Sequence, residues 1–166
     1  IAVNLSSRNL SDPQLEHWVA DLITTSRIEP SALCFEMTER QLMDDPGQTL
    51  EVLHRLRHLG VRLAIDDFGT GYSSMPYLRE LPVDEVKIDR RFVADLEAGD
   101  DTIARSVIDL GHNLGLHVVA EGVESAAALQ CLKELGCDSA QGYHLGMPMP
   151  LAELKAYLEQ RRPSPV

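Results

Sequence analysis

The sequence predicts an α/β fold, an incomplete TIM-like (β/α) barrel with about six of its eight strands present. Three observations predict it. Strand-like and helix-like segments alternate along the chain, the pattern of parallel strands joined by right-handed crossovers. Three junctions repeat one design: Leu59-Gly60 before VRLAIDD, Leu114-Gly115 before LHVVAEG and Leu135-Gly136 before CDSAQGY. In each, glycine supplies the left-handed residue just past a helix, and a short apolar strand follows. Finally, every strand delivers a polar side chain at or near its C-terminal end, where parallel α/β folds build their sites.

The six strands are expected at residues 1–5, 33–38, 62–67, 85–88, 117–120 and 139–143. Between them, Asp12-Pro13 reads as an N-cap followed by proline at the first helical position, with Leu15, Trp18, Val19 and Leu22 on one face. Leu50, Leu53, Leu56 and Leu59 mark the next helix. Asp100 or Asp101 can cap a helix bearing Ile103, Val107, Leu110 and Leu114, and Ser125 one bearing Leu129 and Leu132. Leu151, Leu154 and Leu158 line a last helix, and Pro163 and Pro165 end the chain in a tail. No internal linker appears, so residues 1–162 read as one domain and 163–166 as the tail. The opening Ile1-Ala2-Val3 reads as the interior of a strand, and the two remaining strands are expected upstream.

The polar residues at the strand ends are Asn4, Glu36, Asp66 with Asp67, Lys87, Glu121 and Gln141. They choose between the two parallel architectures. Six strands of an open sheet span roughly 24 Å at ~4.8 Å per gap, so its outer ends could not share one ligand. In a barrel the same ends form a ring around one centre. Asn4, Glu36, Asp66, Asp67 and Glu121 offer hard oxygen ligands, which suit Mg²⁺ or Mn²⁺ rather than zinc. Two such ions ~3.5–4 Å apart could activate water and clamp a phosphodiester oxygen. Lys87 could then hold the attacking water or a phosphate oxygen, and Gln141 could orient either. Any one of these residues alone reads as an ordinary loop hydrogen-bonder, helix cap or surface lysine; the case rests on their coincidence.

Bulk properties narrow the function. At 166 residues, 44% hydrophobic and 25% charged, the chain is an ordinary globular protein with no apolar run near the ~20 residues of a membrane span. A net charge of −11 argues against DNA or RNA as partners, since no excess of basic residues is available to neutralise phosphates. Cys34, Cys131 and Cys137 are odd in number and lack CxxC spacing, which reads as reduced thiols in a cytoplasmic protein. His54 and His58 have the spacing of a zinc pair, but Arg55, Leu56 and Arg57 lie between them and both should face solvent. His112, His117 and His144 are scattered and read as structural, and no GxSxG nucleophile elbow occurs.

Taken together, Val3-Asn4-Leu5-Ser6, Glu36-Met37-Thr38-Glu39, Asp66-Asp67-Phe68-Gly69-Thr70-Gly71-Tyr72-Ser73-Ser74, Lys87-Ile88-Asp89, Ala120-Glu121-Gly122-Val123-Glu124 and Gln141-Gly142-Tyr143 resemble the EAL domain, in that family's order and spacing. The resemblance extends to about Pro150. It implies a TIM-like barrel that hydrolyses one phosphodiester of cyclic-di-GMP to linear pGpG with Mg²⁺ or Mn²⁺. It implies metal-site roles for Asn4, Glu36, Asp66, Asp67 and Glu121, water positioning by Lys87, and a place for Gln141 near substrate and water. Glu39 matches the glutamate that braces the loop after the Asp pair. The segment after Asp67 matches the family's dimer interface, and sensor or diguanylate-cyclase-like domains are expected upstream, where a membrane anchor could also lie. The Glu-Ala-Leu segment that names the family is absent from this sequence, Arg40 replaces a small hydroxyl residue, and Gly146-Met147-Pro148 lacks a basic residue before its proline. Two other readings are weighed: a non-catalytic cyclic-di-GMP receptor or scaffold, and a metal-dependent barrel enzyme acting on a sugar phosphate, which fits the ligands but not the loop. The unpaired strand edges are expected to make the isolated chain aggregate or dimerise.

Overall fold

The computed structural model describes residues 1–71 and 75–160. Its six strands are β1 (Ala2–Asn4), β2 (Cys34–Thr38), β3 (Arg62–Phe68), β4 (Glu85–Ile88), β5 (His117–Ala120) and β6 (Ser139–Ala140). All neighbouring pairs are parallel, and the spatial order is β1-β2-β3-β4-β5-β6. A doubly wound sheet reverses its strand order at a switch point. Here the order never reverses, so the sheet is singly wound: a half-barrel, part of a TIM-like barrel.

Nine α-helices are described: α1 (Ser7–Leu10), α2 (Leu15–Ser26), α3 (Glu39–Leu42), α4 (Pro46–His58), α5 (Met75–Glu80), α6 (Arg90–Asp95), α7 (Thr102–Asn113), α8 (Ala126–Glu134) and α9 (Leu151–Gln160). The three junction glycines do what their positions require: Gly60, Gly115 and Gly136 have φ of 85°, 74° and 79°. Ser125 caps α8 by accepting the Ala128 N–H, and Asp100, rather than Asp101, accepts the Thr102 N–H ahead of α7.

The core lies on the inner strands. Leu63, Ala64, Ile65, Val86, Ile88, Val118 and Ala120 are buried in β3, β4 and β5, which read as continuous apolar runs because both sheet faces are covered. Leu53 and Leu56 of α4 and Val107, Ile108 and Gly111 of α7 close the outer layer. Gly111 marks the closest approach, since a Cβ there would come within 2.5 Å of Val118 Cγ2. As expected, His54 and His58 face solvent.

Three expectations need correction. The helix predicted from Asp12-Pro13 begins at Leu15, because Asp12 instead accepts the Gln14 N–H and closes a turn. On that helix only Leu15 and Val19 are buried, while Trp18 and Leu22 remain 52% and 47% exposed; α4 covers only part of the apolar stripe. The last strand stops at Ala140, not Tyr143. Gly122 (φ 69°) bends the chain after β5, and Val123 still donates to Gln141 O and accepts from the His144 N–H, while Gly142 passes so close to Val123 that a Cβ would sit 2.2 Å from its backbone. Leu151, Leu154 and Leu158 are exposed on α9, and residues 163–166 lie outside the described residues.

Candidate metal centre and active site

The site is built where β3 reaches the C-terminal rim of the sheet. Ile65 pairs with Val86 and Phe68 with Ile88, so three steps along β3 match two along β4. This bulge re-aims side chains that would otherwise alternate between faces. Asp67 takes φ of 53°, a conformation a non-glycine residue holds only when its surroundings enforce it. Its N–H donates to Asp66 Oδ1 at 3.0 Å. The bulge is therefore the reason two consecutive carboxylates serve one site. Glu121, just past β5, joins them: one carboxylate oxygen from each of Asp66, Asp67 and Glu121 lies within 4.8 Å of the others.

Lys87 holds this cluster to β2 and β4. Lys87 and Glu36 are 5% and 8% exposed. Lys87 Nζ lies 2.9 Å from Glu36 Oε2, 3.3 Å from Asp66 Oδ1 and 2.5 Å from Glu121 Oε1. Burial opposes the ammonium charge, but hydrogen bonds to Glu121 and Glu36 and the nearby negative charges prevail, holding Lys87 above the ordinary lysine range. Burial also pushes the Glu121 carboxyl up; Lys87 opposes that, while Asp66 and Glu36 reinforce it. Asp67 is raised by burial and by the charges of Asp66 and Asp89.

Asp89 is the residue that sequence reasoning missed. It is buried at the start of α6, where Oδ1 accepts the Arg91 N–H at 2.8 Å, and it lies beside Asp67, whose carboxyl its charge pushes up. Burial opposes its charge, yet the Arg91 guanidinium and amide hold it below the usual carboxylate range. Its position one residue beyond a strand that already supplies Lys87 was the available signal.

Glu39 opens α3 through a capping box between Thr38 and Gln41. It is buried, and its Oε2 accepts the N–H groups of Gly69 at 3.2 Å and Gly71 at 3.0 Å. A Cβ on Gly71 would lie 2.9 Å from the Glu39 carboxyl carbon, so glycine is what lets the loop close over this side chain. Tyr72, Ser73 and Ser74 of that loop lie outside the described residues.

Asn4 and Gln141 sit differently. Asn4 ends β1 opposite Glu36 in register, and Gln141 follows β6 with its N–H donating to Ala120 O at 2.8 Å. Both are exposed on the rim, and neither side chain makes a hydrogen bond among the described residues. Of His112, His117 and His144, expected to be scattered, the first two come together. His112 and His117 gather at the opposite end of the sheet around Asp138, whose Oδ2 is 3.0 Å from His112 Nε2 and also accepts the Val118 N–H.

The cluster of Asp66, Asp67 and Glu121 offers only carboxylate oxygens, and such a set can hold a divalent metal ion. Fold and site together define a class: a parallel (β/α) half-barrel with an acidic centre at the C-terminal ends of its strands. The chain belongs to the EAL domain family, whose match covers residues 1–148. It is 44% identical over 158 residues to the bifunctional diguanylate cyclase/cyclic di-GMP phosphodiesterase MucR of Pseudomonas aeruginosa, covering 94% of this chain and 23% of MucR. It is also 44% identical over 164 residues to the cyclic di-GMP phosphodiesterase NbdA of the same organism, covering 98% of this chain and 21% of NbdA. The chain thus spans less than a quarter of the length of these two relatives. Among solved structures, the MucR phosphodiesterase in complex with c-di-GMP superposes with a TM-score of 0.89 at 44% identity, covering 93% of this chain and 63% of the other. The EAL domain of Mycobacterium smegmatis DcpA superposes with a TM-score of 0.90 at 40% identity, covering 98% and 74%. No helix among the described residues is long and apolar enough to cross a membrane.

Proposed function

We propose that this chain supplies most of the catalytic centre of a phosphodiesterase that hydrolyses cyclic-di-GMP to linear pGpG with Mg²⁺ or Mn²⁺. The observation that carries the reading is the convergence of Asp66, Asp67 and Glu121 within 4.8 Å at the strand ends of an EAL-family chain. Relatives that carry a phosphodiesterase name support the reaction, and the MucR complex supports the substrate.

Asp66, Asp67 and Glu121 would hold the metal, with Glu36 and Asn4 completing the oxygen set. Bound there, two such ions would lower the pKa of a coordinated water and neutralise phosphate charge. The chain's own residues supply the rest. Lys87 holds Glu36, Asp66 and Glu121 in one orientation and keeps a proton on Nζ. Glu39 fixes the loop after the Asp pair through the Gly69 and Gly71 amides. Asp89 buttresses Asp67. Gln141, exposed at the rim, would meet substrate and water. Water adds to one phosphorus and the ribose 3′ oxygen leaves with a proton, opening the ring to pGpG.

The remaining features belong to the same reading. Residues 1–162 form the domain, further sensor or cyclase-like domains accompany it in a cytoplasmic module, and two copies pair through the segment after Asp67. Met43, beside Thr70 and Gly71, is exposed on that side. The test is product chromatography of cyclic-di-GMP incubated with the intact protein and Mn²⁺. Formation of pGpG, lost in Glu36→Ala, is the expected result. A folded, metal-loaded protein that binds the dinucleotide and leaves it uncut would replace this reading with a receptor.

A further inference from the structure

The ammonium of a lysine has three N–H donors and no acceptor. Lys87 Nζ has three carboxylates within ion-pair distance: it is hydrogen-bonded to Glu36 and Glu121, with Asp66 at 3.3 Å. The side chain is also enclosed, so water does not dilute these contacts. Two of the three partners, Asp66 and Glu121, belong to the set of oxygens that can hold a cation. Lys87 and a divalent ion therefore draw on the same negative charge.

We propose that Lys87 is a built-in counter-cation of the metal centre: it stabilises the acidic cluster, competes with the divalent ion for Asp66 and Glu121, and so sets the affinity for that ion. The inference rests on the metal-centre reading given above and extends it. Its consequence for the reaction is direct. With Glu36 and Glu121 hydrogen-bonded and Asp66 3.3 Å away, the Lys87 ammonium is directed at carboxylates rather than at a water or a phosphate oxygen. A donor becomes available only when one of its partners turns toward a cation. Lys87 would then be a positioning residue whose availability depends on metal occupancy.

The alternative, a lysine that serves only to orient water, makes a different forecast for metal binding. Under competition, removing the positive charge strengthens cation binding. A unit charge acting on a divalent ion ~6 Å away changes its affinity by roughly tenfold even through a water-like dielectric. If Lys87 acts only on water, its removal leaves metal affinity unchanged.

The experiment uses the intact protein and Mn²⁺ alone, without cyclic dinucleotide, so its outcome is separate from whether the protein is a phosphodiesterase. Mn²⁺ binding is measured by the electron paramagnetic resonance of the free ion for wild type, Lys87→Met and Lys87→Arg. The expected result is at least about tenfold tighter Mn²⁺ binding in Lys87→Met and near-wild-type binding in Lys87→Arg. Thermal unfolding should show Lys87→Met weakened in chelator and recovered by Mn²⁺. Unchanged or weaker Mn²⁺ binding in folded Lys87→Met would overturn the proposal. Should Lys87→Met not fold, wild type decides: amine acetylation followed by mass spectrometry should label Lys87 several-fold faster with Mn²⁺ than with chelator. A labelling rate indifferent to Mn²⁺ would overturn it equally.

Discussion

The inner strands of the half-barrel and its two outer strands hold their polar residues in different ways. On β2, β4 and just past β5, Glu36, Lys87 and Glu121 bind one another, and two of the three are buried. On β1 and just past β6, Asn4 and Gln141 stand exposed without side-chain partners among the described residues. Within the described residues the difference tracks pairing: β2 to β5 each have two neighbouring strands, β1 and β6 one. An inner strand is covered on both faces, so a charge there must be paired or it is expelled. Glu36, Lys87 and Glu121 therefore tie the sheet together, whereas Asn4 and Gln141 add no side-chain contact to it among the described residues.

This contrast can be broken by substitution. The largest effect is expected at Lys87. Removing it as Lys87→Ala leaves three carboxylates facing one another, and breaking a buried ion pair this way costs roughly 3–5 kcal/mol. Urea unfolding in chelator should show that loss, with part restored by Mn²⁺. Glu39→Ala should cost less, about 1–3 kcal/mol, because it strips an acceptor from the Gly69 and Gly71 amides. Proteolysis in the loop around Gly71 should accelerate alongside it. At the boundary between the two regions, Gly142→Ala presses a methyl against the Val123 backbone, and overpacking of this kind costs roughly 1–3 kcal/mol.

Smaller effects sharpen the comparison. Asp138 has its carboxyl held low: burial opposes this, but the Val118 amide and His112 prevail. A depressed folded-state value means its stabilisation is present above the ordinary carboxylate value near ~3.9 and is lost as pH falls through the folded value. Acid unfolding of Asp138→Asn should accordingly converge with wild type only below about pH 4. The smallest stability change is expected at the rim, where Asn4→Ala and Gln141→Ala should shift unfolding by less than about 0.5 kcal/mol. If either rim substitution destabilised the protein as much as Glu39→Ala, the division between a fold-bearing centre and a rim without side-chain contacts would fail.

Much of the fold was legible because its signals are local. Gly60, Gly115 and Gly136 announced three helix ends, and polar residues closing apolar runs located the strand ends. Consecutive strand order followed from asking how six such ends could face one ligand. What stayed hidden depends on tertiary geometry. The β3 bulge cannot be read from Ile65-Asp66-Asp67-Phe68, because it exists only in register with β4. Asp89 entered the sequence reading only as the last residue of Lys87-Ile88-Asp89; that it caps α6 and lies beside Asp67 emerges only when β3 and β4 pair. The early end of β6 depends on how closely Gly142 crosses Val123. Trp18 and Leu22 carry helical periodicity, but periodicity does not say which part of a stripe is covered.

The central claim is that the acidic centre at the strand ends is a metal site. The most direct measurement is anomalous X-ray scattering from crystals of the intact protein grown with Mn²⁺. Manganese peaks are expected within bonding distance of Asp66, Asp67 and Glu121 oxygens. Well-ordered carboxylates at full Mn²⁺ with no peak among them, or with manganese only elsewhere in the domain, would contradict it.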